Sequence, residues 1–298
     1  MSEFVPPERH GSFVPVDSRA LPSLLSQELL RLRRGAGSQD LTLVRDLGQR
    51  YRYVRSDQVL AFYSEVSPVS VTARLSRLVQ ARWICRIRLR SGMAGNGRSV
   101  YWLGPLGRYW LENLTDPTTD RVGARWKIGP TFDPNTDPWL QHWLGITEVG
   151  VQAMQAMRRV PKLVVSGIET ECEYRYHTGI QAGRWKPDGR MVLQAPGLEV
   201  SVFFEIDRGT ASVAAFGSKI VGAQGMYEAQ SRQQNGAWLA TAEYWVITAN
   251  HDRVRQLSQL VTTIPFNGRP FGGDSRWRFI AQEDCVHRDS ERQCGPTR

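Results

Sequence analysis

Hydrophobic positions along the chain change period repeatedly. From Gln39 they are helical: Leu41, Val44, Leu47 and Tyr51 share one face, and Val59, Leu60 and Phe62 follow a Ser56-Asp57 cap. Ser67-Pro68 opens a third helix, with Val69, Val71, Leu75, Leu78 and Val79 on its expected apolar side. The period then falls to two over Trp83 to Leu89 and Val100 to Leu103, joined by a glycine-rich loop, Ser91 to Arg98. Gly104-Pro105 starts a closing helix, Leu106 to Leu114. Beyond a Pro-rich stretch the pattern resumes as a helix to about Arg159 and short strands near Leu163 to Val165 and Met191 to Leu193. A strongly apolar strand then covers Leu198 to Ile206. A helix over Ser212 to Arg232, a strand over Ala242 to Thr248, a helix over His251 to Val261 and a strand over Trp277 to Ala281 complete the series.

The first set, three helices followed by strand, loop and strand, has the layout of a winged helix-turn-helix. The second, α-β-β-β-α-β-α-β, fits a mixed central sheet flanked by helices, so the fold class is α/β overall. The expected division is an N-terminal extension (1–37), a winged helix domain (38–114), a linker (115–137), an α/β domain (138–283) and a polar tail (284–298). Leu21 to Arg34 suits a short amphipathic helix packed on the first domain.

Charge sharpens the first domain. The whole chain carries +9, but residues 38–113 hold 12 basic against 5 acidic residues, and residues 138–298 hold 18 against 16. A local excess points to a dedicated phosphate-binding module. Arg74, Arg77 and Arg82 lie on or just after the expected recognition helix, which would enter the major groove of double-stranded DNA. Arg86, Arg88 and Arg90 alternate along the first wing strand, and Arg98 sits by the wing tip, suiting phosphate contacts.

Candidate chemistry sits in the second domain. Glu205 and Asp207 are two apart on the apolar strand, so both carboxylates leave one face, roughly 7 Å apart. Pro187-Asp188-Gly189 has turn chemistry, and a hairpin would bring Asp188 beside Glu205. Oxygen ligands of this kind suit a hard cation, Mg²⁺ or Mn²⁺, with Asp188, Glu205 and Asp207 as its ligands. On the following helix Lys219, Ala223 and Tyr227 stand four apart and share a face. His142, early in the helix that opens this domain, and Glu171, within the alternating run Glu169, Glu171, Glu173, are further candidates.

Asp188 in Pro-Asp-Gly, Glu205-Ile206-Asp207 and Lys219 together resemble the PD-(D/E)xK nuclease superfamily. With Phe203-Phe204-Glu205-Ile206-Asp207-Arg208-Gly209-Thr210 behind a winged helix, the chain is similar to the replication-relaxation proteins of mobile elements, over about residues 40–262. The usual superfamily pattern has lysine where this chain has Asp207; Lys219 on the next helix takes its part. The resemblance implies a DNA-binding, metal-dependent endonuclease or nickase acting in plasmid or mobile-element replication or transfer. The other expectation is a non-catalytic DNA-binding regulator or replication accessory factor with an inactive nuclease-like domain.

His10, His142, His177, His251 and His287 form no His-hydrophobic-His pair, so hydrolysis is favoured over a tyrosine nucleophile. Cys85, Cys172, Cys285 and Cys294 lack zinc-site spacing, as expected of reduced thiols in a cytoplasmic protein. No apolar run is long enough to span a bilayer, so no membrane partner is expected. Cutting both strands would call for two active sites, which a homodimer would supply.

Overall fold

The computed structural model describes residues 20–33, 37–89, 98–113, 139–170, 172–177, 182–209, 211–232, 242–263, 265–266, 269–270 and 277–282. Its contacts divide the chain into two units, Met1–Val151 and Gln152–Arg298.

In the first unit α1 (Leu21–Arg33), α2 (Gly37–Gln49), α3 (Ser56–Phe62), α4 (Pro68–Gln80) and α5 (Pro105–Glu112) accompany three short strands. The strands β1 (Val54–Arg55), β2 (Ile84–Arg88) and β3 (Ser99–Leu103) form an antiparallel sheet in the order β1-β3-β2. The helical spacing read from the sequence is the packing that forms. Val44, Leu47, Val59, Val71, Leu75 and Leu78 meet Trp83, Leu103, Leu106 and Trp110 in one core. Leu24 and Leu25 of α1 pack against it, as an amphipathic extension should. Ser67 caps α4 by accepting the Ser70 N–H at 3.2 Å, with Pro68 in the first turn. Val69 departs from the expected apolar side: it is 80% exposed, because the buried stripe is set by Val71, Leu75 and Leu78.

The long helix α6 (Leu140–Arg159) contains the boundary between the units. Its first half packs with the first unit rather than opening the second. Leu140 and Leu144 join Tyr53, Leu89 and Val100 in a second cluster. The Gln58 side chain donates to the Leu144 carbonyl at 3.0 Å, and the Thr147 hydroxyl donates to the Tyr53 carbonyl at 2.6 Å. The expected linker and the C-terminal tail lie outside the described residues.

The second unit is built on β4 (Val164–Thr170), β7 (Gly189–Ala195), β8 (Leu198–Asp207), β9 (Glu243–Thr248) and β12 (Trp277–Ala281). They form a five-stranded mixed sheet in the order β12-β9-β8-β7-β4. β8, β9 and β12 run parallel; β7 and β4 run antiparallel to their neighbours. A tight turn at Pro196-Gly197 joins β7 to β8, and Gly197 takes φ 73°, a conformation glycine adopts without steric cost. Helices α7 (Val213–Arg232) and α8 (His251–Thr263) cover one sheet face, where Phe216 and Ile220 of α7 meet Val246, Leu257 and Val261. A separate hairpin, β5 (Tyr174–His177) and β6 (Ala182–Trp185), lies on α7. A short pair, β10 (Pro265–Phe266) and β11 (Arg269–Pro270), follows α8. Among the described residues no helix is long and apolar enough to cross a membrane.

Candidate active site

β8 is buried without a break from Ser201 through Glu205, so the carboxylate is carried into the sheet by its apolar neighbours. Register does the rest. Gly189 pairs with Phe204, which sets Asp188 alongside the Glu205-Ile206 step. Asp188 is fixed there: its Oδ2 accepts the Ile206 N–H at 2.7 Å. Gly189 is required at this crossing, since a Cβ would lie 2.2 Å from the Phe204 ring and 2.8 Å from the Glu169 carbonyl.

Lys219, two turns into α7, reaches down to this pair. Its Nζ donates to Glu205 Oε2 and lies 3.9 Å from Asp188 Oδ1. The two carboxylates are nearly enclosed, at 12% exposure for the Asp188 side chain and 7% for Glu205, whereas the Lys219 side chain is 43% exposed. The other Glu205 oxygen, Oε1, is buried with no hydrogen-bond partner. Burial, and then the nearby Asp188 charge, pushes the Glu205 carboxyl well above the usual range, against the pull of Lys219. Burial alone would lower the Lys219 amine, but the Asp188 and Glu205 charges outweigh it and hold the amine above its ordinary value. Trp185, Phe203, Phe216 and Tyr244 wall a cavity of about 10 Å³ against Glu205 and Lys219, roughly the room of one water.

Asp207 has a different partner from the one expected. Arg253 of α8 donates through Nε to Asp207 Oδ2 at 2.6 Å and through a terminal nitrogen to Oδ1 at 3.4 Å. That second nitrogen also donates to the Ala211 carbonyl at 2.7 Å, and the Gly209 N–H reaches Asp207 Oδ1 at 3.2 Å. The expected third metal ligand is thus engaged by a guanidinium, and its side chain is 3% exposed. Among the described residues no group of three or more His, Cys, Asp or Glu is placed to hold a metal ion. Asp188 and Glu205, with one buried oxygen orphaned and a lone amine beside them, still have the donor chemistry a hard cation takes.

Other expected residues are dispersed. Tyr227, further along α7, packs against the Trp185, Phe203 and Ala223 cluster. His142 belongs to the first unit, where its ring meets the edges of Trp139 and Trp143 at 5.8 and 5.5 Å. Glu171 lies outside the described residues. Arg253 was the residue sequence reasoning missed. Its signal was present: Arg253, Leu257 and Val261 recur at four-residue spacing, so the arginine lies on the buried face of its helix.

In the first unit the arginines are arranged unevenly. Arg77 and Arg82 are exposed on and after α4, and Arg86 and Arg88 are exposed on one face of β2. Arg74 is half-buried and donates to the Gln39 side chain. Arg98 is paired with Asp57 at 2.7 Å, which also takes Arg55. Arg90 lies outside the described residues.

The fold and site together define an α/β protein whose second unit sets two carboxylates and an amine at the end of a central mixed-sheet strand. The profile of the family described as replication-relaxation matches residues 50–239, and the chain belongs to that family. No curated protein matches it. Among solved structures, protein VC1899 from Vibrio cholerae aligns over 93% of this chain and 56% of its own length, at 12% identity and a TM-score of 0.27. The chain therefore spans little more than half of that protein, and a TM-score so low supports no further argument.

Proposed function

We propose that the chain is a DNA-binding protein whose second unit hydrolyses a phosphodiester bond, in the replication or transfer of a plasmid or mobile element. The observation that carries this reading is the meeting of Asp188, Glu205 and Lys219. Family membership supports the replication setting. The first unit supports DNA as partner: its helices and three-stranded sheet suit a winged helix-turn-helix, and Arg77, Arg82, Arg86 and Arg88 are exposed on it.

In this reading the second unit is a PD-(D/E)xK nuclease-like domain. Asp188 and Glu205 would hold Mg²⁺ or Mn²⁺. When bound, the ion supplies an activated water at neutral pH and neutralises charge on the phosphate. Lys219 contributes a point charge for a non-bridging phosphate oxygen, on an amine that its two acidic neighbours keep protonated. Asp188 holds its place through the Ile206 N–H, so the carboxylate geometry is set before substrate arrives. The aromatic wall of Trp185, Phe203 and Tyr244 keeps bulk water from the inner side.

The test is incubation of supercoiled plasmid with the full chain and Mg²⁺ or Mn²⁺. The expected product is nicked circle, and Asp188→Ala and Glu205→Ala are expected to abolish it. Cleavage that survives both substitutions would remove the site. A second reading is favoured by one observation, the engagement of Asp207 by Arg253, which leaves two carboxylates rather than three. In it the domain is an accessory, non-catalytic part of a DNA-binding replication factor, and the plasmid stays supercoiled under every metal condition.

A further inference from the structure

The β5–β6 hairpin carries a pattern that its fold does not require. Its inner face is aromatic: Tyr174 and Trp185 are register partners, and both rings meet Phe203, at 5.5 and 4.9 Å. Alternation therefore commits the neighbouring residues to the outer face. There Arg175 stands directly opposite Arg184, and Arg175 is 87% exposed. Like charges directly opposed across an antiparallel pair destabilise it. Lys186, 57% exposed, adds a third cation just past the end of β6.

Among the described residues one carboxylate lies with them. Glu173 takes Lys186 at 2.5 Å and Arg175 at 3.5 Å. Its carboxyl is held below the usual range, first by the Lys186 hydrogen bond, and then, against the loss of solvation, by the Lys186 charge, an Arg175 hydrogen bond and the Arg184 charge. Among the described residues, three cations and one carboxylate leave the face positive. Glu173 stands where an external anion would stand.

The position of this face matters as much as its charge. Trp185, between Arg184 and Lys186, lines the cavity beside Glu205 and Lys219. Pro187, buried, is all that separates Lys186 from Asp188. At about 3.4 Å per extended residue, Lys186 lies within about 7 Å of Asp188 along the chain and Arg184 within about 14 Å. An anion held there would belong to the same strand as one held at the acid–amine site.

We infer that the outer face of the β5–β6 hairpin, Arg175, Arg184 and Lys186, binds the backbone phosphates of a nucleic acid that flank the phosphate at Asp188, Glu205 and Lys219. The assignment rests on reading that site as one that takes nucleic acid. Glu173 then acts as an internal competitor, occupying the cations until phosphates displace it.

Binding without chemistry tests this. Anisotropy of a labelled duplex and of a labelled single strand is measured with the full chain, free of divalent metal, between about 50 and 200 mM salt. Arg175→Gln/Arg184→Gln, both at exposed positions, should reduce the slope of log K against log salt by about 1.8 on duplex or about 1.4 on single strand. Lys186 is left intact because it adjoins the Asp188 turn. Glu173→Gln should act in the opposite direction and tighten binding at every salt concentration. An unchanged slope in the double variant together with unchanged affinity in Glu173→Gln overturns the assignment. The two readings separate cleanly. A reduced slope in a protein that never nicks plasmid keeps the hairpin and removes the nuclease; normal nicking with an unchanged slope and unchanged Glu173→Gln affinity does the reverse.

Discussion

Glu205 and Asp207 share a strand and a face, yet their surroundings differ in kind. Asp207 is closed: a guanidinium grips it through two nitrogens, the pair is 10% and 3% exposed, and the same arginine ties down the Ala211 carbonyl. Glu205 is left incomplete, with one oxygen on a lysine that is itself 43% exposed and the other oxygen on nothing. A closed pair stabilises a shape. An incomplete one keeps charge available for something that arrives later. The difference follows from the partners, since arginine's planar fork matches a carboxylate while lysine is a flexible point charge.

The largest effect should come from opening the closed pair. Arg253→Ala leaves Asp207 buried and uncompensated, which costs about 3–5 kcal/mol, read from urea unfolding. Opening the incomplete pair should cost function instead. Lys219→Ala is expected to slow plasmid nicking by about 10²- to 10³-fold, the usual loss for one charge-stabilising donor. If Lys219→Ala instead unfolds the protein while Arg253→Ala only slows it, the two roles are exchanged.

A smaller effect is expected where β7 crosses β8. Gly189→Ala drives a methyl into the Phe204 ring and the Glu169 carbonyl, an overpacking worth about 1–3 kcal/mol. Because Asp188 is next to it, nicking should fall by more than stability alone explains.

The last effect is a pH dependence. The Glu205 carboxyl is raised in the folded state, so the fold binds its proton more tightly than the unfolded chain does. Its contribution to stability is full below the unfolded value, about 4.3, and is lost as pH rises through the folded value. Glu205→Gln removes that loss. Its unfolding free energy should gain on the parent's as pH rises from about 4, and parallel curves would show that Glu205 titrates normally.

Much of this arrangement was legible in the chain. The apolar run from Val200 to Ile206 reads as a buried strand, and Pro187-Asp188-Gly189 leads into the shorter apolar run before it, so a hairpin of the two runs is expected to set Asp188 beside Glu205, as the register does. Lys219 is marked by the family resemblance, which implies a lysine on the helix after the strand; helical spacing alone puts it on a face with Tyr227, which packs elsewhere. Asp207 was legible only in part. Spacing showed which face it leaves but not who waits there, and its partner is 46 residues away on α8. Val69 looked like core by composition, but helical phase put it outside the stripe of Val71, Leu75 and Leu78. The boundary between units was hidden for a related reason. A continuous helix, α6, crosses it, and the polar contacts of Gln58 and Thr147 that hold its first half are invisible to hydrophobic periodicity.

On the proposed function Glu205 is open to a cation and Asp207 is closed to one. Calorimetric titration of Mn²⁺ into the parent, Glu205→Gln and Asp207→Asn tests it most directly. Binding to the parent is expected, retained in Asp207→Asn and lost in Glu205→Gln. No heat from the parent, or binding that survives Glu205→Gln and vanishes in Asp207→Asn, would contradict it.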